Sequence, residues 1–175
     1  ELAVGGSGIT ADTTVTLNGT TVDLGSAVNG TDVILIARSG DLVLQDIETT
    51  GTLSATASGN ITQSGALDVP VATTLDAGGD ITLNVATNDF SSVTVNNGSD
   101  VTLVDGGNLT LSSLTATGDV DIEATTGTLN VAGDLTTGGA VTLTANELTL
   151  VGNVSGTNVD FNVTGGPLAL PEVNA

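Results

Sequence analysis

A short phrase returns about every 20 residues: Gly or Ser, then Asp or Asn, then an apolar–Thr–apolar triplet. It reads Gly40-Asp41-Leu42-Val43-Leu44, Gly59-Asn60-Ile61-Thr62, Gly79-Asp80-Ile81-Thr82-Leu83 and Ser99-Asp100-Val101-Thr102-Leu103. It continues as Gly118-Asp119-Val120-Asp121-Ile122, Gly139-Ala140-Val141-Thr142-Leu143 and Thr157-Asn158-Val159-Asp160-Phe161. The apolar anchors at 42, 61, 81, 101, 120, 141 and 159 are separated by steps of 19, 20, 20, 19, 21 and 18. A fixed period of this length, without apolar residues at helical spacing, describes stacked copies of one supersecondary unit. Stacked repeats work through length and surface more than through one cleft.

Within a repeat the apolar-x-apolar triplet occurs three times, as in Val101-Thr102-Leu103, Leu109-Thr110-Leu111 and Leu114-Thr115-Ala116. Alternation of period two turns the flanking apolar residues inward and the central Thr, Asp or Asn outward. Strands of about three residues, separated by Gly- and Asx-bearing corners, are too short for a hairpin meander. They predict an all-β chain wound as a right-handed parallel β-helix, with three short strands per coil of roughly 20 residues. About nine coils would make a rod on the order of 40 Å long. The expected organisation is a single domain, 1–175: irregular N-terminal coils over 1–31, regular coils over 32–165, and a terminal strand or linker over 166–175. Pro167 and Pro171 mark that last change. Asn88-Asp89-Phe90 reads as an inserted corner.

Composition narrows the function. The core must be aliphatic, because Phe90 and Phe161 are the only aromatic residues and Trp, Tyr, Met and Cys are absent. Glycine, 24 of 175 residues, exceeds ordinary usage of roughly 7% and fits tight corners. The formal charge is −19, with Arg38 the sole base. Such a surface repels nucleic acid and anionic lipid and keeps a strand-rich object in solution. No 18-residue apolar run is present, so membrane insertion by a helix is not expected. A chain that starts at Glu1 without a basic and apolar leader is expected of a mature protein or a piece of a longer one. Without His, Cys, Lys or Tyr, general-base and nucleophile chemistry lacks its usual side chains, and a non-catalytic protein is expected.

Four surface features remain as candidates. The first-corner column Asp41, Asn60, Asp80, Asp100, Asp119 and Asn158 suits Asx turns, in which the side chain bonds its own turn and tolerates left-handed backbone. Stacked Asp80, Asp100 and Asp119 would repel unless they splay into water or share a cation, and hard oxygen ligands suit calcium. No other cofactor is expected. The outward file Thr62, Thr82, Thr102, Asp121, Thr142, with Thr110, Asn130, Thr149 on a second face, is too interrupted for an ice-ordering surface. Seven Asn-x-Ser/Thr sequons, at Asn18, Asn29, Asn60, Asn97, Asn108, Asn153 and Asn162, offer sites for sugar. Asn88–Ser92 is the place where a ligand site would interrupt the repeat.

Phrases such as Ala77-Gly78-Gly79-Asp80-Ile81-Thr82-Leu83 and Thr117-Gly118-Asp119-Val120-Asp121-Ile122, at this period, resemble the repeat region of filamentous haemagglutinin-like adhesins exported by two-partner secretion. The resemblance covers roughly residues 32–165. It implies a β-helical shaft, localisation as a secreted or bacterial cell-surface protein, and a part in adhesion or biofilm. The Asn-Pro-Asn phrases of that family's secretion domain do not occur, which implies a shaft segment. The expected partners are neighbouring copies of the chain or adjoining repeats of a longer one, and a host-cell or surface receptor. The alternative is a filament subunit that stacks end to end through open β-helix edges.

Overall fold

The computed structural model describes residues 2–170. Among these residues there is no helix, and every strand pairing is parallel. The chain winds as a parallel β-helix with three faces.

The first face is built from strands that carry Leu2, Val22, Leu42, Ile61, Ile81, Val101, Val120 and Val141, with Val159 at the top. These residues are successive register partners, so the periodic anchors of the sequence lie directly one above another. Nine strands stack here, and about eight turns separate the first from the last, one fewer than the length suggested. The second face carries Ile9–Thr10, Val28–Gly30, Ile47–Thr49, Leu67–Val69 and Asp89–Phe90 in a five-stranded sheet. The third face begins with Val15–Gly19, Val33–Ala37, Thr52–Ala57, Ala72–Ala77 and Ser92–Asn97. The N-terminal stretch keeps the common step: Leu2 pairs with Val22, Ile9 with Val28 and Val15 with Val33. At the other end Leu168 pairs with Leu148; Pro171 lies outside the described residues.

Strand length is less uniform than the triplets implied. One strand per coil is long: Val33–Ala37, Thr52–Ala57 and Ala72–Ala77 run to five or six residues between shorter strands of three. Val120–Val131 and Ala140–Leu150 each run through a corner as one strand, and their register shifts there between Ala124 and Thr128.

The core follows from the alternation. Inward positions read Val33, Leu35, Ala37 and Leu53, Ala55, Ala57, all buried, while the residues between them are half-buried. The single column runs the whole length and includes Phe90, which is fully buried. The small residues sit where long strands approach a corner, so a layer of Leu or Val narrows to Ala without leaving a void. Thr73 breaks the rule without compensation. It occupies the column between Leu53 and Val93, is 1% exposed, and its hydroxyl has no hydrogen-bond partner among the described residues. A buried hydroxyl without a partner costs about 1–3 kcal/mol. Thr73→Val keeps the shape and removes that cost, so urea unfolding is expected to show a gain of about 1 kcal/mol; a loss would mean that the hydroxyl is satisfied.

Candidate functional site

The Asx column is a ladder between coils. The backbone N–H of Asn60 donates to Asp41 Oδ1 at 2.7 Å, that of Asp80 to Asn60 Oδ1 at 2.8 Å, and that of Asp100 to Asp80 Oδ1 at 3.2 Å. Asp119 donates to Asp100 Oδ1 at 2.8 Å, and Ala140 to Asp119 Oδ1 at 2.8 Å. Each side chain therefore accepts from the equivalent residue one coil on. This differs from the Asx-turn reading: the bond leaves the turn, and no non-glycine residue has positive φ among the described residues. Other corners repeat the device, from Asp32 to Thr52, Asp46 to Ala66, Asn108 to Thr128 and Asp134 to Asn153.

The glycine of the repeated phrase is the second half of this device. A Cβ on Gly59 would stand 2.4 Å from Asp41 Oδ1, one on Gly79 2.2 Å from Asn60 Oδ1, and one on Gly118 2.0 Å from Asp100 Oδ1. The glycine leaves room for the side chain of the coil below. Where Ser99 replaces it, the rung from Asp80 to Asp100 lengthens to 3.2 Å. A single physical requirement thus explains both letters of the Gly-Asx phrase.

The calcium candidates Asp80, Asp100 and Asp119 do stack, and all three are exposed. Each gives one oxygen to the ladder. Among the described residues no group of three or more acidic side chains converges as a metal-ligand set. The outward Thr file is also in register, Thr62 over Thr82, Thr102, Asp121, Thr142 and Asp160. Thr110, Asn130 and Thr149 form the second file.

Two groups escaped the sequence reading. Glu48, Asp68 and Asp89 are successive register partners on the second face, so three carboxylates stack at strand spacing. Their sequence signal is the acid at the outward position of Ile47-Glu48-Thr49 and Leu67-Asp68-Val69. Open grooves flank them, one lined by Asp12, Asn29, Glu48 and Thr50, another by Asp46, Glu48 and Asp68. The other group is a buried polar cluster. Asp105 is fully buried; its Oδ1 accepts from the Phe90 N–H at 2.7 Å and its Oδ2 from the Gly107 N–H at 2.9 Å. Below it, the Asn88 side chain exchanges bonds of 2.8 and 2.9 Å with Gln63, donates to the Val104 carbonyl at 3.0 Å and accepts from the Leu67 N–H at 3.1 Å. The signal for Asp105 was parity, since Val101, Leu103 and Asp105 share the inward side of one strand. Asn88 and Phe90 are buried and bonded, so the expected ligand corner is a packed joint that exposes Asp89.

The chain matches a protein family described as "Repeats of unknown function (DUF5649)" over residues 30–97 and again over residues 98–167. The chain belongs to this family. No curated protein and no solved structure matches it. The two DUF5649 units meet between Asn97 and Gly98, immediately before the first-face strand Val101–Asp105. Both matched segments contain corners of the Asx ladder, from Asp41 to Asp80 in the first and from Asp100 to Ala140 in the second.

Electrostatics separates two of its acids. Burial pushes the Asp105 carboxyl above its ordinary 3.8, against the two N–H donations from Phe90 and Gly107 that pull it down, and nearby Asp89 adds to the rise. The backbone N–H and hydroxyl of Thr52 hold Asp32 below 3.8. A raised carboxyl binds its proton more readily in the folded state, so the stability it contributes is complete below 3.8 and is lost as pH rises through the folded value. Asp32 has the opposite sign, with stability present above 3.8 and lost as pH falls through its lowered value. Stability measured against pH is expected to show a declining limb above 3.8 that Asp105→Asn abolishes; the same limb in both proteins would exclude Asp105 as its source.

The ladder yields a pairwise test. Gly79→Ala places a methyl against Asn60 Oδ1 and is expected to cost about 1–3 kcal/mol. In an Asn60→Ala background the obstacle is gone, and the penalty of Gly79→Ala should shrink by at least half. Equal penalties in both backgrounds, by urea titration of the double-mutant cycle, would show that the glycine serves something else.

Proposed function

We propose that the chain is a non-catalytic length of shaft in a secreted, cell-surface adhesin or extracellular fibre. The observation that carries this reading is the ladder. The Asx side chains of five successive coils, Asp41 to Asp119, which would be the first candidates for binding chemistry, spend an oxygen on the backbone of the next coil. A surface organised this way holds a rod together along its axis. The outward Thr, Asp and Asn rows keep that rod hydrated, and the charge of −19 discourages lateral association. The resemblance to haemagglutinin-like adhesin repeats supports export to the bacterial surface and a receptor at the far end of the assembly. The exposed Asp80, Asp100 and Asp119 edge, each with one ladder bond per carboxylate, is where calcium would bind weakly.

A second reading, a filament subunit, has one observation in its favour. Among the described residues the strand Asn158–Val163 pairs with Ala140–Leu150 on one side, and its residues are exposed or half-buried. An end of this kind offers an open edge to another copy or to adjoining repeats.

Negative-stain electron microscopy of the purified chain distinguishes the two. A shaft segment is expected to give monodisperse rods of about 40 Å; long fibres would replace it with the subunit reading, and compact aggregates would support neither. Calcium titration by calorimetry and by melting temperature is expected to show weak binding that Asp100→Asn diminishes. A flat titration with an unchanged melting temperature would remove the cation from the proposal.

A further inference from the structure

The long strand of each coil changes face once. Val33–Ala37, Thr52–Ala57, Ala72–Ala77 and Ser92–Asn97 all lie on the third face. From Val101–Asp105 onward the long strand lies on the first face, in Val120–Ala124, Ala140–Ala145 and Asn158–Val163. Two long strands therefore follow each other directly, Ser92–Asn97 and Val101–Asp105, with only Gly98, Ser99 and Asp100 between them. That is also where the two family units meet.

The units align phrase by phrase. Asp32-Val33 through Ala37 corresponds to Asp100-Val101 through Asp105, Leu42-Val43-Leu44 to Leu109-Thr110-Leu111, Ile47 to Leu114, and Leu53 to Val120. Val33, Ile47 and Leu53 each correspond to a residue one face further on, Val101, Leu114 and Val120, while Leu109–Leu111, the counterpart of Leu42–Leu44, pairs with the start of the third-face strand Ser92–Asn97. The first unit contains ten strands, from Val33–Ala37 to Ser92–Asn97, in the order long, short, short, three times over, and closes on a long one. Ten strands at three per turn make three and one-third turns.

The joint shows how the mismatch is absorbed. On the third face Val93 pairs with Leu111 but Thr94 pairs with Ser113, so Ser112 is an extra residue. On the second face the five-stranded sheet ends at Asp89–Phe90. Lower on that face a strand N–H donates to a carbonyl of the coil above, as Val28 does to Asp46 and Ile47 to Ala66, and at Leu67 the acceptor is already a side chain, Asn88 Oδ1. The Gly106 N–H still donates to the Asn88 carbonyl at 2.8 Å, but the Phe90 N–H meets Asp105 Oδ1 instead of a carbonyl. A side-chain carboxylate stands in for the missing backbone acceptor.

We infer that the DUF5649 unit is a ten-strand block of three and one-third turns, that successive units are set one face round from each other, and that Asp105 is the positioning residue that splices them. Equivalent outward residues of the two units, such as Ser54 and Asp121, then lie one face apart around the axis and about 16 Å apart along it. Three units complete a circuit, so a rod built this way shows each unit's surface on all sides. The inference holds for a shaft and for a filament subunit alike.

Hydrogen exchange with mass spectrometry or NMR tests the splice. The Phe90 and Gly107 amides are expected to be protected in the wild type. Asp105→Ala should accelerate both by about tenfold or more relative to Ile61 and Val141, and Asp105→Asn, which keeps one acceptor oxygen, should restore protection at one of the two. Unchanged exchange at Phe90 and Gly107, or equal acceleration through every coil, overturns the splice. The phase shift is tested separately with Asp105 intact, in a chain that has no native cysteine. Thr94→Cys with Ser113→Cys is expected to form a disulfide on mild oxidation, and Thr94→Cys with Ser112→Cys is not. The reverse pattern overturns the one-third turn.

Discussion

A parallel β-helix must satisfy each coil's backbone with the coil above and the coil below, because the strands of one coil do not pair with one another. Everything else in this chain is subordinate to keeping that pairing in register. Apolar anchors hold the inward side of each strand against a column only a few side chains wide. A slip of one residue would send Val, Leu and Ile to the surface and Thr and Asp to the core. The step can vary from 18 to 21 residues because the variation is taken up in corners, where the backbone can loop without disturbing the pairs.

Corners are the weak point of such a design, since a bend tilts N–H groups away from the carbonyls they should meet. The Asx side chain compensates by reaching up to the next coil, and a glycine directly above it leaves the space. The pairing of these two residues is a steric relation between coils, not within one. That is why the phrase survives in Gly-Asp and Gly-Asn forms, and why Ser99 goes with the longest first-face rung. Asp105 applies the same chemistry indoors, with both carboxylate oxygens occupied by backbone N–H groups.

The architecture was legible because period, parity and corner composition all point one way. The anchors at 42, 61, 81, 101, 120, 141 and 159 proved to be register partners one after another. The role of the Asx column was less legible, since a residue's local turn preference says nothing about a partner 20 positions on. The stacked Glu48, Asp68 and Asp89 were hidden because their spacing becomes a column only once the second face is assigned. The joint was hidden for a related reason: Asp105 looks like a strand end until the inward parity of Val101 and Leu103 is carried two residues further. Local signals specified the coil; relations between coils needed the third dimension.

The acids also divide by how their charge is met. Corner carboxylates point at N–H groups and gain charge-assisted bonds that offset repulsion along the column. Glu48, Asp68 and Asp89 have no such donor among the described residues and face each other at strand spacing, an arrangement that costs stability. That cost is paid in solvent, where it falls as salt screens it over about 10 Å at 0.1 M. The ladder is short-ranged and bonded, and salt affects it less. Rising ionic strength therefore relieves the second face while leaving the corners in place, and a rod of this composition grows firmer in saline surroundings without any change in its contacts.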